Sequence, residues 1–423
     1  MKDWHPFTIF LAANLAGCGA NIVLSTPPLP SDSSTVLTPL TGVSSLASGK
    51  FNSHFSCALT TAGLVLCWGD NSKGQLGDGT QILKSSAVPV SGLSSGVTSL
   101  SLGNGFAMAV VNGYILSWGA NSFYSLGDGT LTDRLTPVAV AGLPGSSSGV
   151  TAGSAFGCSL QSGTTYCWGQ NSSGQLGVSN TDIGTLPGAA YNSSGTPYTF
   201  TIITSGMNHV CTLNSGQVYC WGDNSYNQVG DGMGQPLNSP TANTVLASGV
   251  LEMSAGANHT CAIISNNTVY CWGANNYGQL GLGTVTLNTC PSVIPSPAPS
   301  PCSTSNPSTS TNPITPLPIS GLPLAVKIYS GAYHSCALVT GGNLYCWGRN
   351  DWGQLGTGAV SAYSSVPVLV SVLSQKARSM ALGMLHSCAI LEDATVKCWG
   401  HNGFGELGDG TITSSLTPVS VQK

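Results

Sequence analysis

Short apolar runs separated by glycine-containing turns recur along the whole chain. The third such unit shows the pattern clearly: Val150 to Gly153 ends one strand, Phe156 to Leu160 makes the next, Ser162-Gly163 is a two-residue turn, and Thr164 to Trp168 returns. Short strands bounded by such turns predict one four-stranded antiparallel sheet per unit. Asn171 to Gly177 leaves as a loop, and a Pro-Val-x-Val-like strand (Pro89 to Val90, Pro137 to Val140 after the earlier units) is expected to begin the next sheet. One position is apolar in every unit: Leu59, Val110, Leu160, Leu213, Ile263, Leu338 and Ile390. Its preceding neighbour is mostly small: Ala58, Ala109, Ser159, Thr212, Ala262, Ala337 and Ala389. Both faces of this strand can therefore pack, as radial sheets stacked on neighbours on either side require. No stretch after the N-terminus carries helical periodicity.

The units are set out by Trp-Gly-x-Asn, which occurs seven times and is followed by a Gly-Gln-Leu-Gly-like loop; the first copy is Trp68-Gly69-Asp70-Asn71, then Gly74-Gln75-Leu76-Gly77. The other tryptophans are Trp118, Trp168, Trp221, Trp272, Trp347 and Trp399, at spacings of 50, 50, 53, 51, 75 and 52. A fixed period of this size marks a repeat architecture. The expectation is an all-β, seven-bladed β-propeller of four-stranded antiparallel blades over residues 37–423. The terminal Leu416-Thr417-Pro418-Val419-Ser420-Val421 matches the blade-starting strand with no blade after it, so it is expected to complete the first blade and close the ring. Leu37-Thr38-Pro39-Leu40 is a weaker match that competes for that place.

Composition narrows the partners. Only 6% of the 423 residues are charged and the formal net charge is −4, against about 25% charged in an average soluble domain. There is no Lys/Arg cluster to neutralise phosphates, so nucleic acid is not expected as a partner.

Fifteen cysteines are present. Twelve form pairs at equivalent places, each spanning a predicted hairpin: Cys57 with Cys67, Cys158 with Cys167, Cys211 with Cys220, Cys261 with Cys271, Cys336 with Cys346, and Cys388 with Cys398. Separations of 9 or 10 put the two Cβ atoms opposite each other on adjacent strands. In the second repeat the two places hold Met108 and Ser117. Both thiols are missing together there, as bonded partners would be. Six disulfides are therefore expected, the alternative being small apolar core thiols. Cys290 and Cys302 are expected to staple the base of a Pro/Ser/Thr-rich insertion, 284–317; a smaller irregular insertion spans 178–200.

The remaining cysteine has its own context. Phe7 to Ala16 is a short apolar run ending Leu15-Ala16-Gly17-Cys18, similar to a bacterial lipobox. The reading is a lipoprotein signal peptide at 1–17, lipidation at Cys18 and a flexible tether over 18–36. An ordinary cleaved signal and an unprocessed start with a free thiol are the alternatives.

The pattern Gly-x-x-His-x-Cys-Ala-Leu, then Gly-x-x-Tyr-Cys-Trp-Gly-x-Asn-x-x-Gly-Gln-Leu-Gly, clearest from Gly331 to Gly356, resembles the regulator of chromosome condensation (alpha-tubulin suppressor-like) repeat family. The resemblance covers about residues 37–423 and implies a seven-bladed propeller. The family's founder exchanges guanine nucleotide on a small GTPase and binds chromatin; other members are non-catalytic interaction proteins, and many bacterial ones are exported. This chain departs from the founder in its apparent export signal, its paired cysteines and its lack of basic character.

Candidate chemistry is sparse. His209, His259, His334 and His386 alternate with Phe106 and Phe156 at equivalent places, which reads as packing and not as metal ligation. Asp78, Asp128, Asp231 and Asp409 recur in Gly-Asp-Gly, which turn chemistry explains. No catalytic set, metal site or cofactor site is expected. Function is sought where repeats differ on the loop after Trp-Gly. The varied residues include Arg349 and His401, and three positions further on Phe123, Tyr226, Tyr277, Trp352 and Phe404. They either pack on their own blades or form an aromatic binding rim. The resulting expectation is a monomeric, non-catalytic binding module, held by a lipid anchor at the outer membrane or cell surface, with the periplasmic side as an alternative. It would recognise a protein or glycan through one rim. The alternative from the family resemblance is a guanine nucleotide exchange factor-like regulator of a small GTPase.

Overall fold

The computed structural model describes residues 37–178, 180–190, 200–232, 239–244, 246, 248–286 and 312–423. The expected signal peptide 1–17, Cys18 and the tether lie outside the described residues, as do Cys290 and Cys302.

Seven four-stranded antiparallel sheets follow one another along the chain. They span Val43–Pro89, Val97–Ala139, Ser147–Ala189, Ile202–Thr244, Val250–Pro318, Ala325–Leu369 and Ala377–Ser420, and are called blades one to seven. Within the third, the strands are Ser147–Ala152, Phe156–Gln161, Thr164–Gly169 and Gly184–Ala189. The turn at Ser162 and Gly163 has φ of 50° and 88°. Positive φ at both central residues is what a tight hairpin with right-handed strand twist needs.

Three expectations are corrected. The Pro-Val strands do not open the next blade: Lys84–Pro89 pairs with Val65–Gly69 and is the outer strand of its own blade. The free edge of the third strand is the nearest partner in sequence, so each blade is one contiguous stretch. For the same reason Ser415–Ser420 is the outer strand of blade seven and not part of blade one. The ring closes just beyond it, where Leu40 N donates to Val421 O (2.8 Å), Ala87 N to Gln422 O (2.8 Å), and Thr38 and Lys423 exchange backbone hydrogen bonds. The two competing end segments thus pair with each other. Finally, residues 184–189, inside the supposed irregular insertion, form the outer strand of blade three.

The core lies between blades. One cluster joins Phe55, Cys57 and Leu59 of blade one to Ala107, Ala109 and Trp118 of blade two; another joins Leu40, Val43 and Trp68 to Ile390, Val396 and Val421 across the closing seam. Every repeat tryptophan is fully buried. Each donates its indole N–H to a backbone carbonyl on the preceding blade: Trp118 to Gln75, Trp168 to Ser125, Trp221 to Gln175, Trp272 to Gln228, Trp347 to Gln279, Trp399 to Gln354 and Trp68 to Glu406, all at 2.9–3.0 Å.

The buried histidines form a second inter-blade series. His209 Nε2 meets Thr260 Oγ1 (3.0 Å), His259 meets Ser335 (2.9 Å), His334 meets Ser387 (3.0 Å) and His386 meets Ser56 (2.8 Å). Thr260, Ser335 and Ser387 spend their hydroxyl protons on the carbonyls of Gln228, Gln279 and Gln354. In those three pairs the paired nitrogen must therefore be Nε2–H. Phe55, Phe106 and Phe156 stand at the same register position, and the residues matching Thr260 on the blades that follow are Ala107, Gly157 and Val210. Histidine occurs where the next blade offers a hydroxyl and phenylalanine where it does not. The preceding motif glycine has a steric reason: a Cβ on Gly206 would lie 2.1 Å from His209 Cε1.

The six expected cysteine pairs face each other across their hairpins and are bonded, each on the second and third strands of its blade. In blade one Cys57 is bonded to Cys67, and in blade three Cys158 to Cys167. In blade four Cys211 is bonded to Cys220, and in blade five Cys261 to Cys271. In blade six Cys336 is bonded to Cys346, and in blade seven Cys388 to Cys398. All twelve residues are buried. The Cα–Cα distances are 4.0–4.2 Å, shorter than the separation of an ordinary facing pair. That places each bridge at the narrow, non-hydrogen-bonded position of an antiparallel ladder. In blade two Met108 is fully buried and Ser117 Oγ donates to Leu126 O at 2.6 Å.

Candidate functional site: an aromatic rim

The loop after Trp-Gly is built around its asparagine. Asn71 is buried; its Oδ1 accepts from Leu76 N (3.0 Å), and its Nδ2 donates to Thr80 O (3.0 Å) and Ile82 O (3.2 Å). The acceptor half of this arrangement recurs at Asn121, Asn171, Asn224, Asn275, Asn350 and Asn402. Asp78 Oδ1 accepts from Thr80 N (2.9 Å) and Asn71 Nδ2 (3.1 Å), so it too is spent on the loop. The Gln of Gly-Gln-Leu-Gly then holds the varied residue two places earlier. Gln228 Oε1 accepts from Tyr226 N, Gln279 from Tyr277 N and Gln354 from Trp352 N, at 2.8–2.9 Å. A fixed backbone thus presents a variable side chain in each of these blades.

The structure brings Tyr226, Tyr277 and Arg349 together. With Asn258, Asn276 and Tyr333 they line a cleft of about 200 Å³ across blades four to six. The Arg349 guanidinium lies 5.1 Å from the Tyr277 ring centroid and 5.6 Å from that of Tyr333, close enough for cation–π attraction to both. Asp351 holds it through Nε and Nη2, the latter at 2.6 Å. Burial, with Tyr277 nearby, pushes the Tyr333 hydroxyl up from its ordinary pKa. It is therefore protonated at neutral pH and able to donate.

Trp352, His401 and Phe404 form a second cluster. The rings of Trp352 and His401 meet edge to face at 4.6 Å, and Phe404 stacks on His54 of blade one at 4.4 Å. These contacts run between blades, so the aromatics are not packed each on its own sheet. Trp352, Phe404 and Phe123 remain 36%, 39% and 40% exposed. Phe123 sits on the blade-two loop and lines neither cluster.

Sequence reasoning missed Tyr333, His54 and Glu406. Tyr333 and His54 occupy another varied position, just before the His/Phe site. Glu406 stands where five repeats have Gln, and that exchange was legible. Its side chain is buried, and Oε2 takes over the backbone role by accepting from Phe404 N (2.8 Å). Oε1 faces Nδ1 of His401 in a short contact and Nδ1 of His54 at 3.4 Å. Burial alone would raise its pKa, but hydrogen bonds from His401 and His54 outweigh this and hold the carboxyl well below the usual range. The three potential ligand atoms lie within 4.8 Å of one another.

A family model described as RCC1-like domain matches residues 136–423, and models of the regulator of chromosome condensation (RCC1) repeat match 43–75 and 62–110. The chain is 31% identical over 239 residues to the ultraviolet-B receptor UVR8 of Arabidopsis thaliana, a match covering 55% of this chain and 48% of the receptor. It is 27% identical over 220 residues to the E3 ubiquitin-protein ligase HERC2 of Homo sapiens, covering 51% of this chain and 4% of the ligase. The chain thus spans half or less of the length of these relatives. Among solved structures, yeast RCC1 (Prp20) bound to Kap60 superposes with a TM-score of 0.70 at 20% identity, covering 86% of this chain and 85% of that one. Human WBSCR16 superposes at 0.67 and 21%, covering 85% and 94%. At such identities the superpositions speak for the fold alone. With the matched family model running from blade two to the C-terminus of a seven-bladed ring, the chain belongs to the RCC1-like domain family.

Proposed function

We propose that this propeller is a non-catalytic recognition module of the bacterial cell envelope, binding a protein or glycan through the rim of blades four to seven. The observation that carries the reading is the cleft of Tyr226, Tyr277, Tyr333 and Arg349. Tyr and Arg are the favoured anchors of interfaces, and a cleft of about 200 Å³ suits one inserted side chain or one sugar ring. Asn258 and Asn276 add planar donors and acceptors to its lining. Anchoring through a lipid on Cys18 is part of the proposal and is supported by the lipobox-like sequence Leu15-Ala16-Gly17-Cys18.

The test is binding of the purified chain to a glycan array and to crosslinked envelope proteins, in parallel with a variant carrying both Tyr277→Ala and Arg349→Ala. A ligand bound by the native chain and lost at least tenfold by the variant, at unchanged melting temperature, supports the reading. A ligand bound equally by both moves recognition off this rim. Intact mass of the native protein, with loss of residues 1–17 and added acyl chains, tests the anchor. Guanine nucleotide exchange is the competing reading from the family; accelerated release of labelled GDP from a small GTPase would favour it.

A further inference from the structure

We propose that His54, His401 and Glu406 form a binding site for a divalent transition-metal ion, Zn²⁺ in the first instance, at the seam where blade seven meets blade one. Two imidazoles and one carboxylate are a recurrent donor set for such ions. All three donor atoms lie within 4.8 Å of one another. Zinc bonded to His nitrogen and carboxylate oxygen at about 2.0–2.2 Å places adjacent tetrahedral ligands about 3.4 Å apart, and His54 Nδ1 already stands 3.4 Å from Glu406 Oε1.

The site is held from outside. Glu406 Oε2 accepts from Phe404 N, leaving Oε1 to point at both imidazoles. The His54 ring is stacked on Phe404 and the His401 ring stands nearly perpendicular to that of Trp352. The backbone N–H of Gly403 is directed at His401 Nδ1 at 3.4 Å. The same nitrogen faces Glu406 Oε1. The carboxylate side chain is 0% exposed, while His401 and His54 are 15% and 19% exposed, so an ion can enter from solvent past the imidazoles. With three protein donors, a fourth position stays open for water or a ligand.

The molecule supplies its own controls. Gln stands at the Glu406 position in five other repeats, as Gln75, Gln175, Gln228, Gln279 and Gln354, and Asn at the His54 position in two, as Asn208 and Asn258. Glu406→Gln and His54→Asn therefore ask the fold for nothing it does not already do. The buried His209, His259, His334 and His386 have their Nε2 atoms committed to hydroxyls.

The experiment is titration of the chelator-treated full chain with Co²⁺, read by its visible d–d absorption, followed by displacement with Zn²⁺. One saturable equivalent per chain is expected. Glu406→Gln should weaken it at least tenfold, His54→Asn should weaken it as well, and saturating Zn²⁺ should raise the melting temperature of the native chain but not of Glu406→Gln. Absence of a saturable equivalent in the native chain overturns the proposal, as does equal binding by native and Glu406→Gln protein. Neither result depends on what the aromatic cleft recognises.

Discussion

The indole nitrogen of Trp118 donates to the backbone carbonyl of Gln75, 2.9 Å away on the preceding blade. The carbonyl of Gln279 has two donors instead, Trp347 Nε1 at 2.9 Å and Ser335 Oγ at 3.0 Å. The same doubling occurs at Gln228 and Gln354, where Thr260 and Ser387 add their hydroxyls. The latch rests on the indole in blade two, which carries Ala107 at the hydroxyl position.

That difference predicts unequal effects of one substitution. Trp118→Phe leaves the Gln75 carbonyl without this donor, whereas Trp347→Phe leaves the Gln279 carbonyl its serine. An orphaned buried carbonyl costs about 1–3 kcal/mol. Trp118→Phe should therefore be the more destabilising by that order in denaturant unfolding, the lost ring volume being common to both. Equal losses would mean that the latch does not carry the energy.

The histidine series predicts coupling. Ser387→Ala strips His334 Nε2 of its partner in a site from which water is excluded, at a cost of about 1–3 kcal/mol. Adding His334→Phe reproduces the Phe and Ala pairing that Phe55 and Ala107 already make, and should recover much of the loss. A double-mutant cycle should give a coupling above about 0.5 kcal/mol; additive effects would show that the pairing is incidental.

Acid should unfold the ring early. Burial lowers the histidine pKa from 6.5 to about 4 at His209 and His386, and to about 3 at His259 and His334. Because these folded values lie below the unfolded one, the unfolded chain takes up the proton first. Stability is full above pH 6.5 and falls as the pH drops toward each folded value. Each histidine adds a slope of about 1.4 kcal/mol per pH unit within its window. Unfolding free energy measured from pH 7 to pH 4 should show this decline, and the double variant His334→Phe with Ser387→Ala should reduce the slope by one proton.

Blade two shows how a disulfide can be replaced. Cys336→Met together with Cys346→Ser copies Met108 and Ser117, and should fold while losing about 2.5–3 kcal/mol of loop-closure stabilisation. Unfolding midpoints with and without reductant check this: the variant should respond less to reduction than the native chain, having one bridge fewer to lose. Failure to fold would mean that blade two depends on features not shared by blade six.

Much of this molecule is short-range and could be read from residues alone. Cys158 and Cys167 are paired because a two-residue turn at Ser162-Gly163 leaves no other register, and the same logic joins Cys211 to Cys220. The sevenfold Trp-Gly-x-Asn specifies the number of blades because each copy organises its own loop. Ring closure was not legible in this way. Ser415–Ser420 resembles every other outer strand; its pairing with Val396–Gly400 shows which edge it occupies, and the meeting of residues 38–40 with 421–423 shows how the ring closes. The choice between His and Phe could not be explained within a repeat either, since its cause is a hydroxyl one blade away, as with His334 and Ser387. The rim is the extreme case. Arg349 finds Tyr277, and Glu406 finds His54 across the seam, through contacts between chain segments far apart in sequence. Local hydrogen bonding and turn stereochemistry determine the blade from sequence; the relations between blades, on which any binding or metal chemistry rests, exist only once the ring has closed.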